Sequence, residues 1–133
     1  MKLMTLLMVI LFPVMALANW HEVECSQIIP EWNNQTLDIS IDSPVSPNQR
    51  FKDMWVTLTG LNGTYRQIRY TVTNGRFQDF NRIQYQGGRV RLVVDLWPDQ
   101  FPRWGRIYRA SFYNPDLASQ AIINIDCRFP NAQ

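Results

Sequence analysis

Residues 121–129 have the sequence AIINIDCRF, in which every second residue is apolar or small. Alternation of this kind is typical of a β-strand with one buried face. The residues that share the predicted inward face are Ala121, Ile123, Ile125, Cys127 and Phe129. Cys127 is therefore expected to point into the core, close to the end of the chain.

A second cysteine lies near the other end of the chain. Cys25 ends a short alternating segment, residues 20–25, and shares a face with Val23 and His21. Two cysteines allow only one intramolecular disulfide. The sequence has no CxxC spacing, so a redox or metal-binding pair is not indicated. A Cys25–Cys127 bridge needs Cα atoms about 5.5 Å apart. It therefore predicts that the first and last strands are neighbours.

The same alternation recurs between these two segments. Residues 36–42, TLDISID, place Leu37, Ile39 and Ile41 on one face and polar residues on the other. Stretches rich in Gly, Pro, Asn and Asp separate the alternating segments, and no long helical periodicity occurs. The prediction is an all-β domain, a small antiparallel sandwich or barrel of seven to eight strands with its terminal strands joined by one disulfide.

Three hairpins are predicted in the middle of the chain. A three-residue loop at 61–63 would pair Val56 with Ile68, keeping apolar residues on one face. A two-residue turn at Asn74-Gly75 would place Val72 opposite Phe77. A third turn at Gly87-Gly88 would pair Tyr85 with Val90 and Ile83 with Leu92. The alternation fails at Asp79-Phe80, where a bulge or strand break is expected.

The N-terminus has the features of a secretory signal. Lys2 precedes an apolar run, and Ala16-Leu17-Ala18 forms a small-x-small cleavage site. The prediction is a signal peptide over residues 1–18 and a single all-β domain over residues 19–133. The mature protein would be secreted or periplasmic, with no transmembrane segment left after cleavage.

Composition narrows the function classes. The predicted compartment, together with a net charge of only +2 for the full chain, disfavours a nucleic-acid partner. His21 is the only histidine. Because the sequence lacks the common hydrolase, P-loop, Rossmann and zinc-protease motifs, no catalytic residue, metal site or cofactor is predicted. Asp95 and Asp99 flank an aromatic segment and leave an unrecognised aspartate-based hydrolase as a minor alternative. The other interpretation is that they are solvated turn acids or arginine partners.

Residues 97–106, WPDQFPRWGR, form the strongest candidate site. Large aromatic side chains in a loop can stack on a ligand, and arginines add forked hydrogen-bond donors. The alternative is a lid whose aromatic rings complete the core over an open end of the sheet. The candidate ligand-binding residues in this segment are Trp97, Phe101, Arg103, Trp104 and Arg106.

A second group of arginines lies on the predicted outward face of the third hairpin. Arg89 and Arg91 are expected to support the aromatic segment, and without facing acids this face would attract an acidic partner. The alternative is a solvated sheet face that protects against edge-to-edge aggregation. Arg82, Gln84 and Gln86 belong to the same predicted face.

These features predict an exported, non-enzymatic binding module of the cell envelope or extracellular space. Its ligand would be a glycan or a protein, bound by the aromatic and arginine loop. Two other classes remain open: a proteinaceous inhibitor of a secreted hydrolase, and a structural subunit of a surface assembly.

Overall fold

A computed structural model describes residues 21–46, 48–76, 81–117 and 122–132. The predicted signal peptide, residues 1–18, and the predicted irregularity at Asp79-Phe80 lie outside the described residues. Eight strands are present within them, with one short 3-10 turn, Pro30–Trp32, after the first strand. The strands are β1 His21–Ile29, β2 Gln35–Asp42, β3 Phe51–Thr59, β4 Tyr65–Arg76, β5 Arg82–Gly87, β6 Val90–Asp95, β7 Tyr108–Tyr113 and β8 Ile122–Arg128.

The strands form a closed antiparallel barrel. Each strand pairs with the next along the chain, and β8 returns to pair with β1. The all-β prediction is therefore confirmed, and of the two architectures the barrel is the correct one. Cys25 lies directly opposite Cys127 in the β1–β8 pair, and the two form a disulfide across 102 residues of sequence. The predicted bridge is confirmed, and it joins the strands that close the barrel.

The barrel interior is filled by one hydrophobic core. Leu37, Ile39 and Ile41 of β2 are at most 1% exposed, as their alternation predicts. On β8, Ile125 and Cys127 are buried in the same way. A barrel of eight strands has an interior just wide enough for side chains to fill. The largest fully buried side chains include Tyr85, Phe112, Met54, Leu92 and Leu96.

Two of the three predicted turns differ from the structure. The loop at 61–63 is confirmed, with Val56 opposite Ile68 and Gly63 at a φ of 84°. The turn at Asn74-Gly75 is wrong, because both residues lie within β4. Asn74 pairs with Tyr85 and Gly75 with Gln84. A turn there would forfeit the β4–β5 ladder that the barrel needs, so tertiary pairing overrides the local preference of Asn-Gly.

The third turn is displaced by one residue along the chain. Gly88 and Arg89 form it, so Tyr85 pairs with Leu92 rather than Val90. Gly88 has a φ of 59°, which suits glycine, whereas Gly87 stays in the strand. A Cβ at Gly87 would lie 2.1 Å from the Thr71 carbonyl oxygen, so glycine is required there by close backbone approach. The partner of Tyr85 changes by two residues, from Val90 to Leu92, so apolar side chains still face apolar side chains on one face of the sheet.

The connections alternate between the two ends of the barrel. The aromatic end carries the β2–β3, β4–β5 and β6–β7 connections, together with the segment after β8. The hairpin end carries the β1–β2, β3–β4, β5–β6 and β7–β8 connections. The candidate loop, residues 97–106, belongs to the aromatic end.

Candidate functional site

The aromatic loop, residues 97–106, keeps its large side chains in solvent. Trp97 is 73% exposed, Phe101 is 68% exposed and Trp104 is 73% exposed. The lid interpretation is therefore wrong for these three rings, because they do not complete the core. Ile107, which follows the loop directly, is also 72% exposed. Four large exposed apolar side chains within eleven consecutive residues are more than the scattered single exposures of an ordinary surface and are a candidate interaction site.

Asp99 organises the loop from within. Its carboxylate accepts hydrogen bonds from Arg106 at 3.0 Å and from the Tyr108 hydroxyl at 2.8 Å. Arg103 adds an ion pair at 3.7 Å. The Asp99 side chain is only 9% exposed, whereas Arg103 and Arg106 remain 69% and 48% exposed. The structure thus brings both predicted arginines together on Asp99, for which an arginine partner was one interpretation of the sequence.

The environment of Asp99 stabilises its charged form. The hydrogen bond from Tyr108 lowers the pKa of Asp99, and the Arg106 and Arg103 charges lower it further. Burial raises the pKa of Tyr108, as does its hydrogen bond to Asp99. A general acid needs a raised carboxyl pKa near neutral pH, so this environment disfavours such a role for Asp99. Asp95 is exposed and accepts a hydrogen bond from the Trp97 amide at 3.0 Å.

The loop is also attached to the barrel. Leu96 is fully buried, and its amide donates to the Asn81 carbonyl at 2.6 Å. The Asn81 side-chain amide donates to the Asp99 carbonyl at 3.1 Å. Arg76, at the end of β4, donates to the Gln100 carbonyl at 2.6 Å and lies 4.9 Å from the centre of the Phe101 ring. These contacts hold the exposed rings on a supported backbone.

Arg76 is a site residue that sequence reasoning missed. The Asn74-Gly75 dipeptide predicted a turn, which would have taken the chain away before Arg76 reached the loop. The structure extends β4 to Arg76 and places its guanidinium beside Phe101. No local sequence signal identifies Arg76, because the extension of β4 to this residue depends on its pairing with β5 in the closed barrel.

The structure does not bring Arg89 and Arg91 to the aromatic loop. Arg89 lies in the β5–β6 turn at the hairpin end, and Arg91 follows at the start of β6. The six-residue β6 separates them from the loop by about 20 Å at 3.3 Å per residue. Arg82 lies opposite Asp95 in the β5–β6 ladder, so the predicted arginine face does have a facing acid. A supporting role for Arg89 and Arg91 at this loop has no geometric basis.

A charged cluster lies inside the barrel at the aromatic end. The Lys52 ammonium donates to Glu22 at 2.6 Å, and the Tyr85 hydroxyl donates to the other carboxylate oxygen at 2.6 Å. Lys52 is 6% exposed and Tyr85 is 1% exposed. Burial, with the Glu22 charge, raises the pKa of Tyr85 well above its usual value. A register shift in β1 between His21 and Val23 occurs at Glu22, the residue that reaches this cluster.

Other kinds of site find no support in the part of the chain that the structure describes. Its residues contain no group of three or more His, Cys, Asp or Glu side chains placed to hold a metal ion. They also contain no helix with the length and apolar character needed to span a membrane.

The fold and the loop define the protein as a closed eight-stranded antiparallel β-barrel with an exposed aromatic loop at one end. Comparison with known proteins gives no match among protein-family models, curated proteins or solved structures.

Replacing Asp99 by asparagine tests the organisation of the loop. The neutral asparagine side chain cannot form the ion pairs that Asp99 makes with Arg103 and Arg106. Asp99→Asn should therefore loosen the loop and speed trypsin cleavage after these two arginines several-fold. Mass spectrometry of timed digests measures this. Folding lowers the pKa of Asp99, so the ionised Asp99 carboxylate stabilises the folded protein at pH values above the ordinary aspartate pKa. This stabilisation is lost as the pH falls through the lower pKa that Asp99 has in the folded state. Equal cleavage rates in both proteins at neutral pH would contradict the proposed role of Asp99.

Proposed function

We propose that this protein is an exported, non-enzymatic binding module whose aromatic loop docks onto a partner protein of the envelope or extracellular space. The observation that carries the proposal is the exposure of Trp97, Phe101 and Trp104 on a loop held by internal contacts. Tryptophan and arginine are the residues that most often dominate protein interfaces. A loop that is already ordered also loses less conformational entropy on binding.

The chemistry of the loop favours a protein over a glycan at this end. Glycan recognition needs hydrogen-bond acceptors and donors beside the stacking ring. Asp99 already accepts from Arg106 and Tyr108, so the exposed surface of the loop consists mainly of apolar rings and the edges of two arginines, with the exposed amide of Gln100 as its one uncharged polar side chain. An apolar patch with acidic groups at its rim is the surface that complements such a loop.

The compartment is part of the same proposal. A disulfide persists in an oxidising environment, and Cys25–Cys127 is compatible with one. The signal peptide predicted over residues 1–18 agrees with export. The partner is therefore expected among proteins that meet this chain outside the cytosol.

An inhibitor of a secreted hydrolase is the second candidate. The observation that favours it is the attachment of the exposed loop at several points, through Asp99, Asn81 and Arg76. A loop that keeps its shape on binding can occupy an active-site cleft with little loss of entropy. A partner identified as a hydrolase that loses activity when bound would favour this candidate over a simple binding module.

Removing the two exposed tryptophans tests the proposal. Trp97→Ala/Trp104→Ala should lose the partner that the wild-type protein captures from envelope extract or culture fluid. Each truncation of an interface tryptophan typically weakens binding on the order of 30-fold. The thermal midpoint should stay within about 4 °C, because both side chains are largely exposed.

Leu61→Ala/Tyr65→Ala is the matched control. It removes two side chains that are 81% and 73% exposed, but at the hairpin end. This control should retain the partner. Loss of the partner by the control and not by the tryptophan variant would refute the aromatic loop as the site.

A further inference from the structure

The hairpin end carries a groove that the aromatic loop does not reach. Its volume is about 750 Å³, within the range of small-molecule sites. The β1–β2 connection contributes Trp32 and Asn33 to it, and the β3–β4 hairpin contributes Leu61 and Tyr65. The two connections lie side by side because β2 and β3 are neighbours in the barrel.

Two aromatic rings line this groove. Trp32 is partly buried and packs against the barrel core, so its position is fixed by the fold. Two successive asparagines, Asn33 and Asn34, follow it in the left-handed region, with φ of 55° and 59°. Tyr65, by contrast, is 73% exposed. The groove therefore offers one anchored ring and one ring open to solvent, both able to stack on a flat ligand.

The polar side chains of the groove have unused hydrogen-bonding capacity. Asn33, Gln35 and Arg66 line it, and none of the three makes a side-chain hydrogen bond or ion pair with another described residue. The side-chain oxygen of Asn62, Oδ1, accepts hydrogen bonds from the Thr64 amide and hydroxyl. The side-chain NH2 group of Asn62 remains as a donor. Planar amides beside an aromatic ring match the paired hydroxyls of a sugar, which both donate and accept.

The charge of the groove selects among such ligands. Arg66 is the only charged residue among the described residues that line it, and none of them is acidic. A guanidinium forms forked hydrogen bonds with a carboxylate. An extended peptide usually binds by adding to an open strand edge, and β2, β3 and β4 are paired on both sides within the barrel. The groove thus suits a saccharide that carries acid groups better than it suits a peptide.

We propose that the groove formed by Trp32, Asn33, Gln35, Asn62, Tyr65 and Arg66 binds an acidic oligosaccharide. Tyr65 and Trp32 stack on sugar rings, the amides bind hydroxyls, and Arg66 pairs with a uronic-acid carboxylate. This site is separate from the aromatic loop, because the two lie at opposite ends of the barrel. The protein would then join an acidic glycan at one end to a protein at the other.

Calorimetric titration of the protein with hexagalacturonate and with neutral cellohexaose tests this proposal. Hexagalacturonate should bind more tightly than cellohexaose. Arg66→Gln should weaken hexagalacturonate binding about tenfold, the effect of losing one charge-assisted hydrogen-bond pair, and should leave cellohexaose unchanged. Tyr65→Ala should weaken both ligands. NMR chemical-shift changes on the unaltered protein should centre on the Trp32 indole and residues 60–66.

Trp97→Ala/Trp104→Ala serves as the control and should bind hexagalacturonate like the wild type. Failure of both hexasaccharides to bind at millimolar concentration would overturn the proposal. Binding that Tyr65→Ala and Arg66→Gln leave unchanged, or shift changes centred on the aromatic loop, would overturn it as well. Loss of the protein partner by the tryptophan variant would still support the proposed function, so the two proposals fail separately.

Discussion

Cys25→Ala/Cys127→Ala should lower the free energy of unfolding by about 4 kcal/mol. The disulfide closes a loop of 102 residues between the terminal strands. For a loop of this length the chain-entropy estimate is about 4.7 kcal/mol, and loss of a native disulfide typically costs about 2–5 kcal/mol. The barrel depends on the β1–β8 pair for its closure, and the disulfide lies in that pair.

Urea unfolding of the variant, with the wild type as reference, measures this loss. Wild-type protein under a reducing agent is a second reference, since it retains both sulfur atoms and lacks only the covalent bond. The two should show similar losses of stability. Two free thiols in the purified native protein, or a variant as stable as the wild type, would contradict the structural role of the bridge.

Lys52→Met should lower the free energy of unfolding by about 2–4 kcal/mol. The substitution keeps much of the side-chain volume but leaves the Glu22 carboxylate without its cation. Removing one partner of a buried ion pair typically costs about 3–5 kcal/mol, because the other charge stays desolvated. The expected loss is somewhat smaller here, since the Glu22 side chain is 26% exposed.

The double variant Lys52→Met/Glu22→Gln separates the charge effect from packing. Glutamine removes the uncompensated charge and still offers a carbonyl oxygen to the Tyr85 hydroxyl. Most of the lost stability should therefore return. If the double variant is as unstable as Lys52→Met alone, packing of the lysine stem rather than its charge is responsible. Urea unfolding at neutral pH measures all three proteins.

Local sequence patterns predicted some features of the candidate site and not others. The exposed rings and the two arginines of the aromatic loop were identifiable because Trp, Phe, Arg and Pro are concentrated in ten residues. An arginine partner was one interpretation of Asp95 and Asp99, but only the structure shows that Asp99 holds both Arg103 and Arg106. Tyr108, which also holds Asp99, follows the loop as the first residue of β7, so only the path of the chain shows that its hydroxyl turns back toward the loop.

Apart from the disulfide, contacts between distant segments could not be predicted from the sequence. Arg76 reaches Phe101 because β4 extends beyond an apparent turn signal to complete its pairing with β5. Glu22 reaches Lys52 and Tyr85 because the barrel places β1, β3 and β5 around one interior. The grouping of Arg89 and Arg91 with the aromatic loop failed for the related reason that one strand separates the two ends of the barrel.

Alternation and the two cysteines were enough to predict an all-β domain with bridged terminal strands, because burial of one strand face is a local constraint and two cysteines allow only one intramolecular pairing. The choice of a barrel over a sandwich, the register of β4 and β5, and the assignment of each loop to one end depended on closure of the sheet. Closure pairs residues far apart in sequence, and at Asn74-Gly75 the pairing of β4 with β5 prevails over the turn preference of the dipeptide. That is why the composition of the aromatic loop was evident from the sequence, whereas its supports and its distance from Arg89 and Arg91 were set by the tertiary structure.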